Sequence, residues 1–511
     1  MKRLLRIGCI LPLLIVTQML ANSCANSCSC AHTSKSFFAI RPPFQESSPE
    51  LVSGYRYERY HARTSGIDGA IQIVGFGGQS TNPTALAKYF MPFCNKQLKA
   101  TLTEEEFPRD AVYAQHFNIF TQTGTFESVL TFSPKQTYGG LGVSYRQDFL
   151  ANKDRTGFFW ASISLPVEHV RNDMELCEKV TDTGGGANPD DDVTVVANMT
   201  QAFAQTDWQF GKIMCAQSLT GVADVQVKLG YEWLHPLCHV EAYIGATIPT
   251  GNKPTGKFVF EPVVGNGRHG GIMFGSACGF DLWHNNGTSL HIEWAINNQY
   301  LFSNTQHRSF DLKGKPWSRY MEVYANQAEA QAAHDQTNLQ LRANQSSDGI
   351  NIFTKPMHVT PGFSYNVNAA LVVNSVRGFS GEIGYNVYSR DQECVSLDCG
   401  WVEGPALKAL LGDGATQPLR NITPNIDIDQ EITPVPLADY ADSIIKLEDL
   451  DLDSAAHPAY LSHTFYGTAG YRWDKRSYPT FASLGASYEF STVSNAVLDR
   501  WMVWGKAGVS F

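Results

Sequence analysis

The feature that most constrains this chain is an alternation with a period of two. Between Ala223 and Trp233, the residues Ala223, Val225, Val227, Leu229, Tyr231 and Trp233 fall on one face. Asp224, Gln226, Lys228, Gly230 and Glu232 fall on the other. Strict alternation of this kind is a strand with one apolar and one polar face. Leu290 to Phe302 repeats it, with Leu290, Ile292, Trp294, Ile296, Tyr300 and Phe302 opposed to Ser289, His291, Glu293, Asn297 and Gln299. Val240–Ile248, Phe363–Leu371, Phe379–Val387, Phe465–Trp473 and Leu484–Phe490 follow the same rule, and many of these faces end on an aromatic ring. The stretches run to about 10–14 residues, against about 5–6 for a soluble strand.

A soluble antiparallel sandwich also alternates, so length and composition are needed to choose. The apolar run Ile7–Leu20 is followed by none long enough for a spanning helix, which takes about 18 residues. A chain without such helices can cross a membrane only as a closed β-barrel, because lipid cannot satisfy backbone polar groups. The 511 residues are 12% aromatic and only 17% charged, which excludes a disordered chain. A net charge of −10 argues against a nucleic-acid partner, which needs a basic face. A mean hydropathy of −0.21 argues against a helical polytopic protein. The fold expected is all-β: a transmembrane antiparallel up-and-down barrel of about 14 strands, within 12–16.

Those strands are expected near 69–78, 112–120, 126–133, 138–149, 157–169, 221–233, 238–249, 271–283, 288–302, 357–372, 378–390, 463–474, 479–490 and 499–511. The connections then alternate between long (79–111, 170–220, 250–270, 303–356, 391–462) and short. Only 134–137 and 491–498 are short where a long one is wanted. One rim carries loops and the other tight turns, with both ends of the barrel on the turn side.

Lys2, Arg3 and Arg6 precede the run Ile7–Leu20, and Ala21 and Ser23 supply small residues for cleavage. Residues 1–23 therefore read as a signal peptide. Residues 24–68 read as a periplasmic or lumen-plugging segment and 69–511 as the barrel. A lipid-anchored Cys24 would want Leu where Ala21 stands. In an oxidising compartment Cys394 and Cys399 are candidates for a small disulfide loop.

The final strand, Trp501-Met-Val-Trp-Gly-Lys-Ala-Gly-Val-Ser-Phe511, resembles the C-terminal signature of bacterial outer-membrane β-barrel proteins, porin-like or transporter-like. The resemblance implies the bacterial outer membrane as location, lipid as surroundings and the barrel-assembly machinery as partner, with Val509 and Phe511 as the residues read. Lys506 departs from it, standing where the signature has Gly. Ile248-Pro-Thr-Gly-Asn-Lys253 resembles a strand-end turn of transport-type barrels. Asn82-Pro-Thr-Ala85 loosely resembles an N-terminal motif of fatty-acid transporters.

If the polar faces line a lumen, its acids are Asp148, Glu168, Asp224, Glu232, Glu241, Glu293, Glu382 and Glu489. Its bases are Arg146, Lys228, Arg390, Arg472 and Lys506, with His291 beside Glu293. Opposite charges would pair and stiffen the wall, and the acidic excess would favour cations modestly. In Tyr55-Arg-Tyr-Glu-Arg-Tyr-His-Ala-Arg63, the bases Arg56, Arg59 and Arg63 could meet wall carboxylates as a plug, or the stretch could be a tether.

Ser289, His291 and Glu293 invite a hydrolase reading. Spacing of roughly 7 Å along a strand argues against a direct Ser–His contact and for simple wall lining. Asp449, Asp451, Asp453 and Ser454 lack the Gly and Glu of a calcium loop and read as a solvated acidic loop, like Asp190–Asp192 and Asp427/Asp429. Residues 325–345 read as a short polar helix, and Leu407, Leu410 and Leu411 as a local apolar patch. No catalytic, cofactor or metal site is expected. The expected function is passive diffusion of small polar solutes or cations, alone or as a homo-oligomer. Two alternatives stand beside it: a gated transporter of hydrophobic compounds, resembling fatty-acid transporters, and a structural or adhesive surface protein.

Overall fold

A computed structural model describes residues 34–44, 69–92, 95–102, 111–154, 156–187, 195–235, 237–330, 346–407, 444–473, 478–492 and 496–511. Twelve antiparallel strands close into a barrel. They are β1 (Gly69–Ser80), β2 (Lys135–Ala151), β3 (Gly157–Asp173), β4 (Val225–His235), β5 (Cys238–Ile248), β6 (Gly271–Asn285), β7 (Thr288–Leu301), β8 (Gly362–Asn374), β9 (Phe379–Arg390), β10 (Tyr460–Trp473), β11 (Thr480–Phe490) and β12 (Arg500–Ser510). Each strand pairs with the next, and β12 pairs back onto β1 from Ala70↔Ser510 to Ser80↔Arg500, which removes the open edge. β4 is short, and Gln217–Val222 takes its place beside the far half of β3.

The count is twelve rather than about fourteen because 112–120 and 126–133 are not wall strands. Ala111–Tyr113 runs into a 3-10 turn, and Glu127–Thr131 pairs with Gln97–Thr101 and Cys177–Asp182 in a separate small sheet. Their Val112, Phe117, Phe126, Leu130 and Phe132 are all buried. The apolar pattern there marks a protein core, not a lipid face. The first long connection thus becomes 81–134, which removes the anomaly at 134–137. The Asn82–Ala85 motif is a helix start: Asn82 Oδ1 accepts from Ala85 N at 3.2 Å and caps α1 (Pro83–Phe90).

The faces of the wall settle its surroundings. Ile383 is 67% exposed while its neighbour Glu382 is 5% exposed, and Leu484 is 72% exposed beside Ser483 at 5%. A soluble sandwich would do the reverse, since each apolar side chain left in water forgoes about 1.5–3 kcal/mol. Aromatic pairs band the exterior near both rims. Phe159–Tyr231 and Phe379–Tyr471 stand on the turn side, and Tyr300–Phe363 and Phe465–Phe490 on the loop side. This is an outer-membrane type of barrel with a lipid-facing exterior.

The turn rim carries the links β2–β3, β4–β5, β6–β7, β8–β9 and β10–β11. In the β6–β7 hairpin, Asn286 (φ 49°) and Gly287 (φ 75°) both take the left-handed conformation that a two-residue turn matching strand twist requires. At the opposite rim the described residues of the long connections are largely packed. They pack into a cap with its own core, where Phe90, Phe117, Phe132, Phe203, Trp208, Trp317 and Tyr320 pack together, each at most 2% exposed. A second cluster, including Phe310, Met321, Phe353 and Leu407, adjoins it. Leu407 is thus packed locally, as expected, while Leu410 and Leu411 lie outside the described residues. Asn326 Oδ1 accepts from Glu329 N at 2.9 Å, starting a helical turn in the 325–345 stretch, of which 331–345 lie outside the described residues.

Cys394 and Cys399 are both free and exposed, which corrects the disulfide expectation. Cys394–Leu397 is an extended strand paired with Met357–Thr360, and a rise of about 3.3 Å per residue holds the two sulfurs apart. The signal peptide, Cys24 and the bases Arg56, Arg59 and Arg63 lie outside the described residues.

Candidate functional site: the capped lumen

The chain ahead of β1 enters the barrel from the loop rim. Ser34 Oγ donates to Asp311 at 2.8 Å, Lys35 Nζ to the Asp453 carbonyl at 2.6 Å, and Tyr89 OH to the Phe37 carbonyl at 2.6 Å. The Arg308 guanidinium lies 3.1 Å from the centre of the Phe37 ring, and Phe38 joins the cap core. Further in, Arg41 is buried against the wall. Its Nη1 donates to Glu489 Oε1 and its Nη2 to Asn386 Oδ1, both at 2.9 Å. Arg500 Nε holds the other oxygen of Glu489 at 2.7 Å, and Arg500 Nη1 donates to the Arg41 carbonyl at 2.9 Å. Ser462 completes the carboxylate's shell at 2.7 Å. Four wall residues and one inserted arginine form a closed charge cluster, the arrangement in which buried charge is tolerated.

Beyond Arg41, the Phe44 ring stacks on Phe76 at 6.0 Å between centroids and rests on Gly142. Any side chain at position 142 would meet that ring. Val74, Val170, Val372, Met502 and Trp504 share this buried cluster. Beside Phe44 an otherwise polar wall therefore carries an apolar patch, made by Val74 and Phe76 of β1 and Met502 and Trp504 of β12.

Toward the turn rim, Arg146 is the hub of a second charge cluster. It donates to Glu232 at 2.5 Å and Glu241 at 3.2 Å, lies 3.6 Å from Asp148, and stacks 4.3 Å from the centre of Trp160. Between this cluster and Lys506 is a cavity of about 90 Å³, lined also by Gln72, Ser144, Tyr243 and Asn297. Lys228 projects into it, its ammonium 5.3 Å from the Tyr243 ring centre.

The remaining polar-face residues separate by place. Glu382 accepts from Tyr466 OH at 2.6 Å, and Tyr466 accepts from Asn368 at 3.1 Å, linking β8, β9 and β10. Glu293 lies 3.2 Å from His239. Asp224 accepts from Gly251 N at 3.2 Å and Asn266 N at 2.6 Å, so the Pro-Thr-Gly stretch is a turn that ties its loop to the strand break ahead of β4. Glu168 is buried beside this site. Arg390 is at the loop rim, 3.5 Å from Glu393, which also lies 3.4 Å from Arg308. Arg472 is on the last turn of wall at the opposite rim. Asp449 and Asp451 accept from the backbone of Lys446 and Ser454, capping 3-10 turns. Phe511 exchanges backbone hydrogen bonds with Gly69 at 2.8 and 2.9 Å and stacks its ring on Tyr145, and Val509 pairs with Ile71.

Ser289 and His291 touch in spite of their spacing along β7. Ser289 Oγ and His291 Nε2 are 2.7 Å apart, and His291 Nδ1 meets Asp281 of β6. The strand repeat measures the distance between side-chain roots, and an imidazole leaning along the strand spans the difference. Ser34–Phe44 falls within the 24–68 stretch expected as a plug or tether, but the inserted base is Arg41, which was not among the bases singled out there. The segment's signal was available in the aromatic, Pro-rich run Phe37-Phe-Ala-Ile-Arg-Pro-Pro-Phe44, whose rings have no strand period to satisfy.

The closed wall, its lipid-facing exterior and its capped polar interior define an outer-membrane type of β-barrel. No family model and no curated protein sequence matches the chain. Among solved structures, the chain is similar to an outer-membrane channel from Pseudomonas putida F1, with 9% identity over 88% of this chain and 98% of that one and a TM-score of 0.39. It is similar also to a Pseudomonas aeruginosa FadL homologue (6%, 87% and 90%, TM-score 0.29) and to the Pseudomonas putida toluene transporter TodX (10%, 94% and 96%, TM-score 0.28). These are likenesses in the course of the backbone.

Proposed function

We propose that this barrel is a gated channel, closed by its own N-terminal segment at the loop rim, that passes small organic solutes with an apolar body and a polar group. The observation that carries the reading is the inserted Ser34–Phe44 segment, latched at Arg41 and with Phe44 packed against the apolar patch of the wall. An aromatic side chain held there by a buried charge cluster occupies the space a passing solute would need. The cavity beneath it combines Trp160 and Tyr243 with Arg146 and Lys228, which suits the same kind of solute.

Single-channel conductance in a planar bilayer tests this. The refolded full chain should stay closed, and Arg41→Ala should open in bursts. Steady conductance in both would sink the gate, and silence in both would sink the channel. A second reading, an ungated pore for small polar solutes or cations, is favoured by the polar wall near the turn rim. It requires the first of those two failures.

A further inference from the structure

At the turn-side mouth of the barrel, three side chains stand in the order that nucleophilic catalysis requires. Ser289 Oγ is 2.7 Å from His291 Nε2, and His291 Nδ1 meets Asp281 Oδ1 from the neighbouring strand. With the Nδ1 proton donated to the carboxylate, Nε2 is left with its lone pair toward the serine hydroxyl. That is the tautomer a general base needs. The hairpin holds the three in place. The tight Asn286–Gly287 turn starts β7 at Thr288, and the irregularity between Asp281 and Trp283 in β6 sets Asp281 opposite His291.

A fourth residue completes the arrangement. Asn374 of β8 is directly paired with Ser289, on the same inward face. It is 3% exposed, and among the described residues neither its Nδ2 nor its Oδ1 has a hydrogen-bond partner. A buried amide left unsatisfied is costly, and its donor is free to meet a group bound at the serine. Its root lies about 5 Å from that of Ser289, the distance of directly opposed residues. An amide there can donate to an oxyanion formed on the serine.

We propose that Ser289, His291 and Asn374 form an esterase site facing the lumen at the turn rim, with Asp281 as the positioning residue, and that it takes small carboxylic esters arriving from the turn side. Ser289 Oγ attacks the ester carbonyl carbon while His291 Nε2 accepts the hydroxyl proton. The carbonyl oxygen becomes an oxyanion at Asn374 Nδ2. The ester C–O bond breaks, and the leaving alcohol takes the proton from His291. Water then attacks the acyl-serine, giving its proton to His291. The carboxylic acid departs, and Ser289 Oγ recovers its proton. The position favours small substrates, because the serine lies inside a barrel wall and is itself 8% exposed. His239 and Glu293, paired at 3.2 Å, are the charged groups facing the site from deeper in the lumen.

The test uses the full chain refolded in detergent, with heat-modifiable migration as the check on folding. A fluorophosphonate probe should label it, and p-nitrophenyl butyrate should be hydrolysed. Ser289→Ala should abolish labelling and lower kcat/KM by about 10³-fold or more. Asn374→Ala should lower kcat by about 10²-fold with little change in KM. Asp281→Asn should lower kcat and displace the pH profile, which a merely structural role would not do. A folded wild-type protein that neither labels nor hydrolyses the ester faster than its Ser289→Ala variant overturns the proposal. So does labelling that persists in Ser289→Ala.

Discussion

Arg41 and Arg500 share one carboxylate: Glu489 gives one oxygen to each, at 2.9 and 2.7 Å. One arginine belongs to the inserted segment and the other to the wall, so the segment's anchor is also part of the strand closing the barrel. Removing Arg41 leaves Glu489 still paired with Arg500. Arg41→Ala should therefore release the segment without unfolding the wall. Open probability should rise while heat-modifiable migration is kept. Glu489→Gln removes the partner of both arginines and should cost roughly 3–5 kcal/mol, as breaking a buried pair does. Urea unfolding in vesicles would measure it.

Phe44→Ala should strip the ring from the apolar patch on β1 and β12 without touching the charge cluster. Deleting a buried ring costs about 3–5 kcal/mol. That loss should fall on the segment's docking, read as faster proteolysis ahead of β1. Gly142→Val should have a similar effect from the wall side, because any side chain there meets the Phe44 ring.

Acid should loosen the cap. Burial pushes His457 down to about 3 and His269 down to about 4. Both fold neutral, and the unfolded chain binds their protons first. The stability they contribute is full above pH 6.5 and is lost as pH falls toward those values, at about 1.4 kcal/mol per unit for each. Asp451 opposes this. Burial, then Asp311, raises it to about 6, so it gains stability as pH falls below that value. Lys315, lowered to about 7 by burial, makes its change above neutrality. Two histidines outweigh one carboxyl, so limited proteolysis of the loop rim should accelerate between pH 6.5 and 4. His457→Gln should reduce the dependence.

Wall register can be tested one residue apart. Ile383→Arg places a charge in lipid and should cost about 2–4 kcal/mol in refolding into vesicles. Glu382→Gln, facing inward and bonded to Tyr466 at 2.6 Å, should cost about 1 kcal/mol. Equal costs would contradict the assignment of faces.

Lys228→Glu should shift ion preference in the opened channel toward cations, measured as a reversal potential across a salt gradient. Arg146 pairs with both Glu232 and Glu241 and offsets one of their two charges, so the cation preference expected from the summed wall charges is reduced at this depth.

Much of this was legible in the residues. Alternation at Val225–Trp233 and Leu290–Phe302 gave strands with the correct faces, because in a barrel the side-chain period alone separates lipid from lumen. The asymmetry of the rims followed from loop length. The count failed at 112–120 and 126–133, because an apolar pattern reports burial without saying whether lipid or protein does the burying. The ends of partnerships were equally hidden. Nothing local ties Arg41 to Glu489 or Asn374 to Ser289; the first pair meets only when the segment is docked in the lumen, the second only when strands far apart in sequence are in register.

By itself, then, the sequence determined the barrel class, the inward and outward faces and the rim that carries the loops. All of these are set by periodicity and by neighbours along the chain. Only the tertiary structure decided that the loops form a cap, that residues 34–44 enter the lumen, and that a serine and a histidine two residues apart touch. Those depend on strand register and on how far a side chain reaches, which no spacing along the chain specifies.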